Sequence, residues 1–291
     1  MRILITGANG QVGWELQRAL APLGTVLALG HAQLDLANAD AIRQALRHAA
    51  PDLIVNAAAY TAVDRAEQEP ELAQAVNGDA PGILAEEAQR LRAALVHYST
   101  DYVFDGGKGA PYEEIDAPHP MSVYGATKLA GEKAIAAVDC AHLILRTSWV
   151  YGARGKNFLL TMQRLARERD ELRVVDDQLG APTWSRMLAE ATLSLVSQCL
   201  HKDRVADILR DRRGLYHLSA GGQTSWFGFA SAIVQQAEKP PRMTPITTAE
   251  YPLPAARPAY SVLSNDKIAR HFGIRLPDWR DSLGQCLARD S

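Results

Sequence analysis

Cysteine is scarce in this chain of 291 residues: Cys140, Cys199 and Cys286 are odd in number and far apart. With no Cys-x-x-Cys pair, neither a disulfide framework nor a thiolate zinc site is indicated, and a reduced, intracellular protein is expected. Charge of one sign is also missing. The 31 Lys and Arg nearly balance the 33 Asp and Glu, and a net charge of −2 offers no broad basic field for nucleic acid. Long apolar runs are absent as well. Arg2-Ile3-Leu4-Ile5-Thr6 is a short strand signal that ends in a turn, so neither a signal peptide nor a membrane span is expected, and the cytoplasm is the expected compartment. Eight His occur without a His-x-x-x-His spacing, and no metal site is assigned. Repeats and low-complexity segments are lacking too.

The composition that remains, 47% apolar and 22% charged, is that of a globular protein long enough to bury a sizeable core. In the first half, apolar runs at Ile3 to Thr6, Val26 to Leu29, Leu53 to Ala57, Ala94 to Ser99 and Leu143 to Thr147 read as buried strands. Helical patterns lie between them. Val12, Leu16, Ala19, Leu20 and Leu23 recur at helical spacing before Gly24, and Ile42, Ala45, Leu46 and Ala49 do so before Pro51. This alternation predicts an α/β fold: a Rossmann-type, doubly wound parallel sheet with a smaller C-terminal substrate-binding domain. The expected division is 1–150 for the sheet domain and 151–291 mainly for the smaller one, with later segments free to return to the first. The loop Gly152 to Asn157 marks the change, the proline-rich stretches Pro240-Pro241 and Pro252 to Pro258 predict extended connections, and His201 to Arg213 reads as a solvated amphipathic helix or loop.

Gly7-Ala8-Asn9-Gly10-Gln11-Val12-Gly13 follows the first strand directly and opens the first helix. Glycines there permit a tight turn, close approach to a pyrophosphate and tight helix–strand contact, while the helix N-terminus offers unpaired N–H groups. The Gly-x-x-Gly-x-x-Gly spacing resembles that of the short-chain dehydrogenase/reductase superfamily. At the end of the second strand Leu29-Gly30-His31 supplies neither a carboxylate to repel a 2′-phosphate nor an Arg or Lys to grip one, which favours NADPH with NADH tolerated. By the same resemblance Asp35 and Leu36 occupy the adenine-contacting position. The small residues Ala57 to Ala59, with Tyr60 and Thr61, leave the third strand where a flat cofactor would lie against backbone.

Tyr124-Gly125-Ala126-Thr127-Lys128 is the only Tyr-x-x-x-Lys pair, where about 0.2 would arise by chance, and it stands before the fifth strand, where the superfamily carries its catalytic pair. Residues four apart share a helix face. Reducing a ketone needs a hydride and a proton, and a phenol of pKa ~10 is a poor shuttle at neutral pH. A cation ~4 Å away, at an effective dielectric of ~20, supplies the ~4 kcal/mol that would lower it by ~3 units, so Lys128 is expected to acidify Tyr124. Thr100, at the carboxyl end of the fourth strand, is by resemblance the donor to the carbonyl oxygen, while strand alternation turns Ser99 away.

The segment Ser99 to Phe104 resembles that of sugar-nucleotide 4,6-dehydratases, but Tyr102 stands where those enzymes carry Glu, which favours plain reduction. Together with Tyr124 to Glu132, Arg146-Thr147-Ser148-Trp149-Val150-Tyr151-Gly152 and Asp177-Gln178-Leu179-Gly180-Ala181-Pro182-Thr183, it makes nearly the whole chain resemble the dTDP-4-dehydrorhamnose reductase family. That resemblance implies NADPH-dependent reduction of the 4-keto group of dTDP-4-dehydro-L-rhamnose, the last step in activating rhamnose for surface polysaccharide. It implies that Thr100, Asp101 and Trp149 line the sugar site, and it makes Asn157 and Arg257 candidate ligands of the diphosphate. A homodimer and Mg2+ at a subunit contact also accompany the family, though no spacing demonstrates a metal site. Two alternatives stay open: another nucleotide-sugar 4-ketoreductase or epimerase, and a non-catalytic subunit like the regulatory subunit of methionine adenosyltransferase.

Overall fold

Each apolar run of the first half is a strand of one sheet in the computed structural model, which describes residues 1–200, 205–235 and 237–288. The strands are β1 (Arg2–Thr6), β2 (Thr25–Leu29), β3 (Leu53–Asn56), β4 (Ala94–Thr100) and β5 (Ala141–Thr147). A sixth strand, Gly214–His217, pairs with β5, and the order is Gly214–His217, β5, β4, β3, β1, β2. Every pairing is parallel. Residues of β3, β4 and β5 are buried at all positions because helices cover both faces, which is why these strands read as unbroken apolar runs without alternation.

The helices α1 (Gln11–Ala19), α2 (Ala39–Ala49), α3 (Val63–Ala66), α4 (Pro70–Gln74), α5 (Ala80–Leu91) and α6 (Val123–Ala136) belong to the first half. Ile42 and Leu46 of α2, Leu84 and Ala88 of α5 and Ile135 of α6 build the core on one face. Leu16 of α1 packs into the core on the other, together with Leu20 just beyond it. The first helix is shorter than its apolar spacing suggests: it ends at Ala19, and Ala21–Leu23 form a 3-10 turn. Pro22 is the reason, since it has no N–H to donate to the preceding turn.

The second half supplies α7 (Phe158–Glu168), α8 (Ser185–Cys199), α9 (Ala206–Asp211), α10 (Trp226–Val234), α11 (Asp266–Phe272) and α12 (Trp279–Leu287). Part of it returns to the sheet. Leu188 and Leu195 of α8, Leu209 of α9, and Ile268 and Phe272 of α11 share the core of α1. The remainder forms a separate core in which Leu159 and Met162 meet Phe229, Ile233 and Trp279, beside the parallel pair Glu171–Val175 and Arg242–Ile246. Of the charged run starting at His201, residues 201–204 lie outside the described residues, while Val205 and Leu209 are buried in the main core. Among the described residues, no helix is long and apolar enough to cross a membrane.

In this order β2 and β3 lie on opposite sides of β1, so the chain reverses direction between them and opens a crevice at the strands' carboxyl ends. The glycine turn after β1 and the Ala57 to Thr61 segment after β3 flank that crevice.

Candidate active site

The glycine turn is built from backbone because no side chain fits. Gly7 has φ +72°, and a Cβ on it would lie 2.8 Å from the Ala58 nitrogen. A Cβ on Gly13 would lie 2.1 Å from the Gly7 carbonyl oxygen, so α1 presses directly on the turn. Gly10 donates to Gly7 O at 2.9 Å and caps the helix, leaving the N-terminal N–H groups of α1 facing the crevice. Unpaired N–H groups at a helix start beside a turn of glycines suit a pyrophosphate. Gly13→Ala is expected to weaken NADPH binding by roughly tenfold or more, since a clash with Gly7 must displace the turn or the helix. A fluorescence titration with NADPH checks this, and wild-type affinity in the variant would exclude the assigned turn.

The other cofactor candidates are dispersed around this turn. Asn9 lies over Gly30 at the end of β2, where a Cβ would sit 2.6 Å from its Nδ2, and Gly30 N donates to Gln33 Oε1 at 3.1 Å. Val12 packs against the main core, and Gln11 reaches across to Val150 O at 3.4 Å. Asp35 accepts from Ala37 N at 2.9 Å while Leu36 is buried in the core beside α2. Ala59 is half-buried and Thr61 exposed. Between them, Asn77 holds the backbone of Tyr60, accepting from its N–H and donating to its carbonyl, and also donates to Thr127 on α6. Asn77 sits in a π-helical turn, Ala75–Asp79, a type of insertion that often marks function. Nothing in local periodicity signals such a turn, so Asn77 escaped the reading of the sequence.

Thr100, Tyr124 and Lys128 converge at the end of β4. Ser122 caps α6 by accepting from Gly125 N, and Gly125 lets the helix start against the Asp101–Val103 turn, since its Cβ would be 2.2 Å from Tyr102 O. Tyr124 is thereby brought beside Thr100. Lys128, one turn on and 2% exposed, donates to Tyr98 O at 2.6 Å and lies 3.2 Å from His97 Nε2. His97 continues a buried chain through Asn56, whose Nδ2 is 2.9 Å from its Nδ1, to Thr6, which donates to Asn56 Oδ1 at 2.6 Å. The chain ties the lysine to the strand that bears the glycine turn.

The expected acidification of Tyr124 is not what the fold produces. Burial pushes the phenol up to about 12, the Thr100 hydroxyl opposes this, and the Asp101 carboxyl adds to it. The lysine is itself pulled down to about 8 by burial, with Glu132 holding it up. The physical reason is that the Lys128 ammonium is directed at a carbonyl and an imidazole, so it does not offset the burial of the phenol. For reduction this polarity is useful, because the donor must carry its proton at neutral pH.

The sugar-site candidates separate into two groups. Asp101 is buried beside Thr100, at 3.1 Å from its hydroxyl, and Tyr102 meets the Tyr124 ring edge-on at 5.6 Å. Arg257 donates to Asp64 at 2.7 Å and to Ala255 O at 2.8 Å, so its guanidinium is largely committed within the chain. Trp149 adopts φ +46° and stacks on Trp226 at 3.6 Å, with Gly180 against its indole. Trp226 was not distinguishable by sequence from a core aromatic. Asn157 is not with this cluster. It caps α7 through Leu160 N and donates to Gln11, Gly152 and Arg154, closing the 152–157 loop on the glycine turn. Among the described residues no three His, Cys, Asp or Glu side chains gather as a metal site.

Comparison with known proteins places this site in a family. The RmlD substrate binding domain model matches residues 1–291. A dTDP-4-dehydrorhamnose reductase from Burkholderia thailandensis is 50% identical over 295 residues, covering 99% of this chain and 98% of that protein. One from Escherichia coli is 46% identical over 290 residues, 96% of this chain and 95% of the relative. Among solved structures, a dTDP-4-dehydrorhamnose reductase from Bacillus anthracis in complex with NADP superposes with a TM-score of 0.91 at 36% identity and 99% coverage of both chains.

Proposed function

The chain belongs to the RmlD substrate binding domain family, and from that premise we infer that it reduces the 4-keto group of dTDP-4-dehydro-L-rhamnose to give dTDP-L-rhamnose, the final step of activated rhamnose synthesis. The observation that carries the reading is the meeting of Thr100 and Tyr124 at the carboxyl end of β4, with Lys128 one helical turn away and the glycine turn across the crevice. When bound, the dinucleotide supplies the hydride. Gly7, Gly10 and Gly13 would cradle its diphosphate, and Lys128 would face its ribose side from α6.

The protein's own residues manage the proton and the carbonyl. Thr100 and Tyr124 together present two hydroxyls to one substrate oxygen, which polarises the carbonyl and supplies the proton as charge develops there. Tyr102 replaces a carboxylate base with a phenol that burial and the neighbouring Asp101 push further up, so no group at that position removes a proton from carbon. Reduction without dehydration is the chemistry that follows. NADPH is the preferred donor in this reading, because the turn after β2 holds no acidic side chain at positions 29–31 to repel a 2′-phosphate. Residues of the second lobe, with Trp149 on its Trp226 platform, would hold the sugar nucleotide over the crevice.

The test is direct: purified protein with dTDP-4-dehydro-L-rhamnose should consume NADPH and yield the L-rhamno product, with NADH supporting a lower kcat/KM. No oxidation of either cofactor would sink the reading. A product of different configuration would assign a related 4-ketoreductase activity instead.

A further inference from the structure

Asp64 on α3 and Arg257 come from opposite halves of the chain, and the way they meet leaves one edge of the arginine open. A guanidinium carries five N–H donors in a fixed plane. Nη1 directs both of its hydrogens inward, to Asp64 Oδ1 at 3.0 Å and to Ala255 O at 2.8 Å, and Nη2 directs one to Asp64 Oδ2 at 2.7 Å. The carboxylate therefore occupies the end of the fork. Along the other edge, Nε–H and the second Nη2 hydrogen lie side by side and meet no carboxylate or carbonyl among the described residues. Two parallel donors of this kind match two oxygens of one phosphate.

Arg257 stands in the stretch from Pro252 to Pro258, which is neither helix nor strand, so its own backbone does little to aim it. One carboxylate does that instead. Asp64 Oδ1 accepts from Ala255 N at 3.2 Å as well as from Arg257 Nη1, which ties backbone and side chain to the same point. On the other side of Arg257, Pro258 and Ala259 close on Gly106, where a Cβ would lie 2.7 Å from the Ala259 nitrogen. The arginine side chain is 15% exposed, which is enough for a ligand to reach it. The guanidinium lies beside the Tyr102 phenol, and the Tyr102 ring meets that of Tyr124 edge-on at 5.6 Å. Arg257 thus stands one aromatic residue out from the proton donor. In a sugar nucleotide reduced at C4 the diphosphate hangs from C1, across the pyranose ring from the carbonyl, so a group that binds it has to stand a ring's width from that donor.

We propose that Asp64 is a positioning residue for the diphosphate of the sugar nucleotide: it holds Arg257 by the end of its fork and presents the Nε–Nη2 edge, already ordered, to two phosphate oxygens. The proposal rests on the reductase reading for the identity of that diphosphate. Its physical basis is preorganisation. A long side chain on an extended segment has many rotamers, and fixing one before the ligand arrives removes the ordering cost from binding. The Asp64 carboxylate also repels a diphosphate. It does so from the far side of the guanidinium, with its side chain 38% exposed, where water and salt screen the repulsion. Alignment outweighs repulsion, and the pair acts on binding rather than on the proton or the hydride.

Calorimetric titration with dTDP tests this without turnover. Asp64→Ala should weaken dTDP binding about tenfold, and Arg257→Ala by roughly 10- to 100-fold. Adding Asp64→Ala to Arg257→Ala should change nothing further, because Asp64 acts only through the arginine. Arg257→Lys keeps the charge without the fork and should fall short of wild type by about tenfold. Thymidine, which lacks the phosphates, should bind every variant alike. In turnover, KM for the sugar nucleotide should rise in step with the dTDP Kd while kcat changes less than about threefold. Unchanged or tighter dTDP binding in Asp64→Ala would overturn the proposal, as would a further loss in the double variant or a loss shared by thymidine. Weakened NADPH binding would also overturn it, since the pair would then serve the cofactor's diphosphate. If Asp64→Ala does not fold, Asp64→Asn preserves the size while turning an amide donor toward the guanidinium, and it should show the same selective loss of dTDP. Wild-type protein that binds dTDP but reduces nothing would count against the reductase reading alone, whereas wild-type protein that does not bind dTDP would overturn the role of Asp64.

Discussion

Tyr124→Phe should lower kcat by about 10²- to 10⁴-fold, the range typical of a lost general acid, while NADPH affinity and melting temperature stay near wild type. The substitution keeps the ring that meets Tyr102 edge-on at 5.6 Å and removes only the hydroxyl. What is lost is the proton that the carbonyl oxygen needs as it gains negative charge, and Thr100 alone cannot both polarise that oxygen and protonate it. The raised phenol also fixes the sign of the pH dependence. A donor pushed up to about 12 stays protonated throughout the neutral range, so Tyr124 itself imposes no alkaline loss of reduction there. Steady-state kinetics with saturating NADPH measure the effect. Turnover within a few fold of wild type would remove Tyr124 from the chemistry and with it the proposed mechanism.

The largest expected effect on stability comes from a residue with no part in the chemistry. Glu132→Ala should cost about 3–5 kcal/mol, as expected when one partner of a buried ion pair is removed. Melting temperature should drop by on the order of 10 °C. Glu132 on α6 receives Arg146 in a two-point contact, Nε to Oε1 at 2.8 Å and Nη2 to Oε2 at 2.6 Å, and Ser99 donates to the same Oε1 at 2.5 Å. Both side chains are buried, and Arg146 lies over the Phe104 ring at 5.0 Å. Its Nη1 already lacks a partner, so loss of the carboxylate would leave a guanidinium stranded in the interior. The pair also pins the helix bearing Tyr124 and Lys128 to β4 and β5, so kcat should fall with stability. A Glu132→Met, Arg146→Leu double variant, which buries no charge, should recover much of the lost stability. Thermal denaturation of the three proteins checks this, and an unchanged melting temperature in Glu132→Ala would show that the pair contributes little.

Local sequence determined the parts whose physics is local. Unbroken apolar runs specify strands covered on both faces, three glycines at fixed spacing specify a turn that only backbone can occupy, and a spacing of four from Tyr124 to Lys128 puts both on one face of a helix. Pro22 shows the limit even there, since one missing N–H ended a helix that apolar spacing alone extended to Leu23. Tertiary structure decided the rest, because it depends on neighbours far apart in the chain. The sixth strand and α8 come back from beyond residue 180 to complete the first core. Asn157 closes a loop instead of joining the sugar-site cluster, Trp149 finds its platform at Trp226, and Lys128 meets His97 and a carbonyl instead of the phenol. The side-chain types can be read from the sequence, but the pKa of Tyr124 and of Asp101 cannot. Those follow from how much water the fold removes and which charges it leaves nearby.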